Sequence, residues 1–144
     1  TPLKGLSLMA GYADTRNRDP NDIPSRSSAE EMWSAYVRYE FTRGGLKGFA
    51  AGVGASWMGE RAGDVGTGYA AASTATNPIP NQPSFYLPEQ TLIDLNLSYA
   101  RQNWIYRLNV MNLFDEENYP ASGTRTSIYV GNPRNLSGSV TWKF

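Results

Sequence analysis

The sequence predicts an all-β chain: an antiparallel, up-and-down sheet of the transmembrane β-barrel type. Three observations predict it. Apolar and polar residues alternate through six segments. The connections between those segments are alternately short and long. The chain stops on an alternating run, Leu136-Ser137-Gly138-Ser139-Val140-Thr141-Trp142-Lys143-Phe144, with an aromatic residue at its very end. A period of two marks a strand whose two faces meet different environments. Most soluble domains end instead in a frayed polar tail.

Taken in order, Leu6, Leu8, Ala10 and Tyr12 share one face and oppose Ser7, Met9, Gly11 and Ala13. Trp33, Ala35, Val37, Tyr39 and Phe41 oppose Ser34, Tyr36, Arg38 and Glu40. Phe49, Ala51, Val53, Ala55 and Trp57 oppose Ala50, Gly52, Gly54 and Ser56. Ile93, Leu95, Leu97 and Tyr99 oppose Asp94, Asn96 and Ser98; Tyr106, Leu108 and Val110 oppose Arg107, Asn109 and Met111. The sixth segment is the terminal run. With their flanks, these segments approach the roughly 9–11 residues that a tilted strand needs to cross a bilayer.

The connections set the polarity. Thr42–Lys47 contains Arg43-Gly44-Gly45, a turn in which glycine offers positive φ, and Ala100–Asn103 is a second tight turn. Between them run long polar stretches rich in Gly, Pro and Ser, near Asp14–Ala29, Gly59–Pro88 and Asp115–Pro133. Counting back from Phe144 places the chain end and both tight turns at one rim, and the three long loops at the other. Short periplasmic turns and long extracellular loops are the pattern of an outer-membrane barrel.

Composition narrows the function. At 144 residues, 40% hydrophobic and 12% aromatic, the chain is too apolar for a disordered segment. Thirteen Lys and Arg balance thirteen Asp and Glu, so no net field favours a nucleic-acid partner. The chain has no Cys and no His, which removes disulfides, thiolate chemistry and the commonest general base and metal ligand. No apolar run approaches the roughly 18 residues of a membrane helix. The opening Thr1-Pro2-Leu3 carries no initiator Met and predicts a piece of a longer protein.

One predicted face carries Trp33, Tyr39, Phe41, Trp57, Tyr99, Tyr106, Trp142 and Phe144, mostly near strand ends with aliphatic residues between. Aromatic girdles around an aliphatic band belong to lipid-facing surfaces. The other face carries Arg38, Glu40, Asp94, Asn96, Arg107, Asn109 and Lys143. A soluble sandwich would bury its apolar face against a second sheet. Single strands fit that alternative; the girdle and the long loops fit it poorly.

Particular motifs then carry a family resemblance. Leu108-Asn109-Val110-Met111-Asn112-Leu113-Phe114-Asp115, followed by Tyr119, resembles the penultimate strand of the TonB-dependent outer-membrane receptors, chiefly the ferric-siderophore type. Tyr86-Leu87-Pro88-Glu89-Gln90-Thr91-Leu92-Ile93-Asp94 is similar to the family's start of the preceding strand, with Glu89-Gln90 in place of the usual Gly-Tyr. Gly131-Asn132-Pro133-Arg134-Asn135 resembles the segment before the closing strand, and Gly59-Glu60-Arg61 a Gly-Asp-Arg corner. The resemblance implies that residues 1–144 are the C-terminal portion of a receptor barrel, the last six strands of 22. No plug domain, and so no TonB-contacting segment, is included. Uptake of a ferric siderophore in the bacterial outer membrane follows as the implied function. The implied partners are TonB through the plug, the barrel-assembly machinery and membrane lipid. A passive channel, an adhesion barrel and a soluble β-sheet binding module are the alternatives.

No constellation supports catalysis, a metal site or a cofactor: the many Ser and Thr have no His to activate them. Asp14, Asp19 and Asp22 lack Ca²⁺-loop spacing and read as a solvated loop. Ligand binding falls to the loops. Arg16, Arg18, Arg26, Arg61, Arg125 and Arg134 offer charge for an anionic chelate. Tyr69, Phe85, Tyr86, Tyr119 and Tyr129 offer aromatic contact; Arg61 and Arg125 join these five as the expected ligand set. Leu136, Val140, Trp142 and Phe144 are the expected assembly signal. Arg38, Glu40, Asp94 and Arg107 are expected to pair with each other or with the plug. The small residues of the third segment are expected to make room for the plug or for a bend. With open edges and an uncovered aromatic face, the fragment is not expected to be a stable soluble monomer.

Overall fold

The computed structural model describes residues 3–144; the Thr1-Pro2 opening lies outside them. The strands are, in chain order, β1 (Leu6–Asp14), β2 (Glu31–Glu40), β3 (Phe49–Met58), β4 (Arg61–Ala62), β5 (Tyr86–Leu87), β6 (Gln90–Arg101), β7 (Trp104–Met111), β8 (Ala121–Thr124), β9 (Ser127–Tyr129) and β10 (Asn135–Trp142). Six of them form one sheet in the order β1-β2-β3-β6-β7-β10, and every pair in it is antiparallel. Each long strand therefore pairs with the long strand before it, the meander that the alternation predicts.

Both tight turns form. Gly44 takes φ 72° and opens a short 3₁₀ turn, Gly44–Leu46, between β2 and β3. Between β6 and β7 the loop is Gln102-Asn103, closed by the Arg101–Trp104 pair. Here Gln102, not a glycine, takes φ 52°. Asn103 also grips the chain end: its Nδ2 donates to the Lys143 carbonyl at 2.8 Å, and its own carbonyl accepts the Lys143 N–H at 2.8 Å. Strand β10 stops at Trp142, two residues short of the expected end. Phe144 still packs edge-on against Trp142, with ring centroids 4.9 Å apart.

Register sorts the faces. Tyr12, Trp33 and Trp57 fall in one row across β1, β2 and β3 near the long loops. Near the tight turns the rings form a belt in two runs, Tyr39-Phe41-Phe49 and Tyr99-Tyr106-Trp104-Trp142-Phe144, with neighbouring centroids 4.9–6.5 Å apart within each run. Leu8, Val37, Val53, Leu108 and Val140 stand exposed between the two rows. Trp33 and Tyr39 on β2 are separated by about 20 Å of strand at ~3.3 Å per residue. Trp104 belongs to the belt although the expected strand began only at Tyr106.

The opposite face is split along its length. Near the turns it is polar: Arg38, Glu40, Asn96, Ser98 and Arg107 line a shallow cleft. Near the loops it is apolar, with Gly11, Ala13, Met32, Met58 and Leu92 around a hollow of about 380 Å³. The expected charge pairs do not form within the described residues: Arg38 Nη2 donates to Ser98 Oγ at 3.3 Å, and Asp94 Oδ1 accepts the Asn112 N–H at 2.9 Å. The glycines of β3 have a local occupant. The Tyr36 ring of β2 lies across Gly52 and Gly54, and a Cβ at Gly52 would strike it. A flat ring over bare backbone restores the packing that glycine leaves out.

The buried residues sit elsewhere. Among the described residues, Ala50 and Val110 are the only buried apolar side chains that belong to the six-stranded sheet. Ile23, Ala29, Ala62 and Leu87 are buried in or beside the long connections, with Arg61, Asp64, Asn112, Asn118 and Ser122. Two short ladders that the alternation did not reveal, β4-β5 and β8-β9, organise that region.

Candidate ligand-binding loop cap

The three long connections form a cap on one rim of the sheet, and polar side chains hold it together. The first connection folds on itself. Asp19 Oδ1 accepts the N–H groups of Asn21 and Ile23 at 2.8 and 2.9 Å, which occupies the carboxylate as a turn brace. No group of three or more acidic residues suited to a metal occurs among the described residues. Arg18 is tied to Glu30 and, at 3.4 Å, to Asp22. The Glu30 hydrogen bond raises its pKa above the ordinary guanidinium value.

Arg61 joins the second and third connections. It is 1% exposed. Its Nη1 donates to the carbonyls of Gly59 and Pro88, both at 3.1 Å. Its Nη2 donates to Gln90 Oε1 at 2.9 Å and to the Tyr119 carbonyl. Gln90 Oε1 also accepts the Tyr119 N–H at 3.2 Å. Burial lowers the Arg61 pKa from its ordinary value. The guanidinium expected to meet a ligand is thus enclosed in this structure, and its four contacts are all to the chain itself.

Serines join all three connections. Ser27 accepts the Ser122 N–H at 2.9 Å and donates its own N–H to the Ala62 carbonyl at 2.8 Å. Ser122 Oγ donates to the Gly63 carbonyl. Phe85 covers Gly63, with its ring where a Cβ would stand. Asp64, 4% exposed, accepts the Ser84 N–H at 2.6 Å and the Ser84 hydroxyl at 2.7 Å, and Arg125 Nε at 2.8 Å. Burial alone would raise its pKa; the Ser84 and Arg125 donors outweigh it and hold the carboxyl down to about 2.

The Asn-Leu-Phe-Asp motif builds the third connection. Asn112 takes φ 51° and Asp115 φ 59°, a left-handed geometry that asparagine and aspartate tolerate better than most residues. Asn112 Nδ2 donates to the carbonyls of Glu116 and Asn132 at 2.8 and 3.2 Å, while its Oδ1 accepts the Glu116 N–H at 2.9 Å. Asp115 Oδ1 accepts the Arg134 N–H at 2.7 Å, which fixes the junction before β10 through the backbone of Arg134. Asp115, Glu116 and Glu117 are exposed, as their position at a strand end predicts.

The expected aromatic set divides. Phe85, Tyr86 and Tyr119 lie beside the Arg61 brace. Tyr129 pairs with Ala121 in the β8-β9 ladder and is exposed. Tyr69 stands farther out, bridged to Pro80 in an exposed arm. A polar cleft of about 380 Å³ runs beneath the cap, lined in part by Arg16, Arg18, Glu31, Glu60, Arg61 and Tyr86. Asp64, Ser84, Ser27 and Ser122 were not legible beforehand, because their partners lie 20 to 95 residues away along the chain.

No family model matches the chain. It is 30% identical over 142 residues to the ferripyoverdine receptor of Pseudomonas aeruginosa, an alignment covering 97% of this chain. It is 35% identical over 107 residues to the metal-pseudopaline receptor CntO of the same species, covering 74% of this chain. The chain belongs to the TonB-dependent outer-membrane receptors. It spans only 16% and 13% of the lengths of these two relatives. Crystallographic ferripyoverdine receptor from P. aeruginosa superposes with a TM-score of 0.76 at 27% identity, over 99% of this chain and 18% of that one. The ferric-catecholate import receptor Fiu of Escherichia coli shares the fold, with a TM-score of 0.71 at 18% identity over 99% of this chain and 19% of that one. The relatives are receptors of the outer membrane, transporters rather than enzymes.

Proposed function

We propose that residues 1–144 form the last six strands of a closed, 22-stranded, plugged barrel that imports a ferric siderophore across the bacterial outer membrane. The observation that carries this reading is the alignment to the ferripyoverdine receptor along 97% of the chain. The second relative, named for a metal-pseudopaline complex, supports a chelated metal as cargo. In this reading the aromatic face meets lipid and the polar face lines the lumen. The cap lies outside the cell, and the two tight turns face the periplasm.

Each part of the chain then has a task. Tyr69, Phe85, Tyr86, Tyr119, Arg125 and Tyr129 contact the chelate; Arg61 serves them by holding the second and third loops together. Leu136, Val140, Trp142 and Phe144 present the signal read by the barrel-assembly machinery. TonB supplies energy through a plug domain outside this chain, since nothing in it resembles a nucleotide-hydrolysing site.

The test is uptake of ⁵⁵Fe-labelled chelate by cells carrying the complete receptor, the receptor deletion, or the receptor with TonB inactivated. Uptake that needs both the receptor and TonB is the expected result. Uptake that needs the receptor but persists without TonB would replace this reading with a passive channel.

A further inference from the structure

We propose that Asp64 and Ser84 are positioning residues that hold Arg125 as the anion-recognising arm of the cap, so that the receptor selects ferric chelates by negative charge. This inference rests on the siderophore-receptor reading and adds a ligand class and two residues to it.

Arg125 sits in the turn between β8 and β9. A long side chain at such a place ordinarily keeps its rotamer freedom and loses it on binding. Here that freedom is already spent. Arg125 Nε donates to Asp64 Oδ2 at 2.8 Å. The two Ser84 donors, at 2.6 and 2.7 Å, fix the carboxylate in turn. The Asp64 side chain is 6% exposed and that of Arg125 is 60% exposed. One edge of the guanidinium is therefore anchored and the other faces solvent. Among the described residues no hydrogen bond occupies its Nη1 or Nη2. A planar fork held at one edge matches the paired oxygens of a carboxylate or a catecholate.

The other loop arginines lack this combination. Arg18 is spent on Glu30 and Asp22, and Arg61 is enclosed. The side chains of Arg16, Arg26 and Arg134 make no ion pair among the described residues, so each would pay the full cost of ordering. Arg125 alone in this set is both held and presented.

The test measures binding to the complete receptor in detergent, by quenching of its tryptophan fluorescence. Two probes are used: a triply anionic ferric tris-catecholate and an uncharged ferric tris-hydroxamate. Arg125→Gln should weaken the anionic chelate about tenfold and the uncharged one less than about twofold. Arg125→Lys should restore part of the preference. Ser84→Ala, which removes no charge and keeps the backbone donor to Oδ1, should lower the same preference by about threefold, because it strips the hydroxyl donor from Asp64 Oδ2, the oxygen that holds Arg125 Nε. Heat-modifiable gel migration identifies variants that fold. Equal weakening of both chelates, or of neither, would make the Asp64–Arg125 contact a loop strut and overturn the proposal. A wild-type receptor that binds only the uncharged chelate would overturn it too. A wild-type receptor that binds neither would overturn the siderophore reading and this inference with it.

Discussion

The sheet and the loop cap are built on opposite economies. The sheet is a regular ladder with long strands and almost no interior; its aliphatic and aromatic side chains stand exposed on one face. The cap has only scraps of regular structure, yet it holds most of the buried residues. What fastens the cap is polar: a buried arginine among carbonyls, a buried aspartate between Ser84 and Arg125, and serines between loops. The contrast teaches where each region finds its stability. A sheet with an uncovered apolar face depends on what surrounds it, lipid in the present reading. A cap in water has to satisfy itself, because a long loop that buries backbone must pair it.

Substitution at the Arg61 brace should break the comparison hardest. Arg61→Ala strips donors from the carbonyls of Gly59, Pro88 and Tyr119. Each buried acceptor left bare costs about 1–3 kcal/mol, so the cap should loosen by roughly 3 kcal/mol or more. Hydrogen exchange on the receptor in detergent should quicken across loop residues 59–64 and 86–90 while the β1-β2 and β6-β7 ladders keep their protection. Equal loss in both regions would mean that cap and sheet unfold as one unit.

The converse experiment strikes the sheet. Gly52→Val drives a branched side chain into the Tyr36 ring. Overpacking of this kind costs about 1–3 kcal/mol. Thermal unfolding followed by strand circular dichroism should move down, and Tyr36→Ser in the same chain should recover most of the loss. Failure of the double variant to recover would remove Tyr36 as the occupant of the glycine strip.

Acid should give the smallest effect, confined to the cap. The Asp64 carboxyl is held down to about 2, below the value of about 3.9 for an unperturbed aspartate. A depressed folded-state pKa contributes stability that is complete above the unfolded value and fades as pH falls toward and through the folded one. Pepsin cleavage within residues 63–85 should therefore rise between about pH 4 and pH 2. Asp64→Asn should cut more readily at pH 4 and lose most of that slope. A slope unchanged by the substitution would assign the acid response to another carboxylate.

The same contrast explains what the sequence disclosed. Two faces in two environments write themselves into alternation, so the six long strands, their order and the aromatic rows were legible from residues such as Trp33, Val37 and Tyr39. The ends of strands were less so: β6 begins at Gln90, where Glu89-Gln90 carries no alternation to read. The cap obeys no period. Arg61 was visible in the Gly59-Glu60-Arg61 corner and as an expected ligand contact, but not as a brace, because it meets carbonyls contributed by Pro88 and Tyr119, 27 and 58 residues away. Asn112 and Asp115 were visible as a motif, but their reason, two left-handed residues whose side chains tie the loop to Asn132 and Arg134, needed the backbone.

The grip of Asn103 on Lys143 has an evolutionary consequence. The last strand is indexed at its end by a two-residue turn, through one bond in each direction. Outside Leu136, Val140 and Trp142, which the proposed assembly signal holds, side chains along Asn135–Trp142 can change so long as alternation survives. A slip of one residue would break both bonds and send Val140 and Trp142 to the opposite face. Lineages carrying this chain should therefore accumulate substitutions in the terminal strand but very few insertions or deletions, while the tip of the second loop varies freely in length.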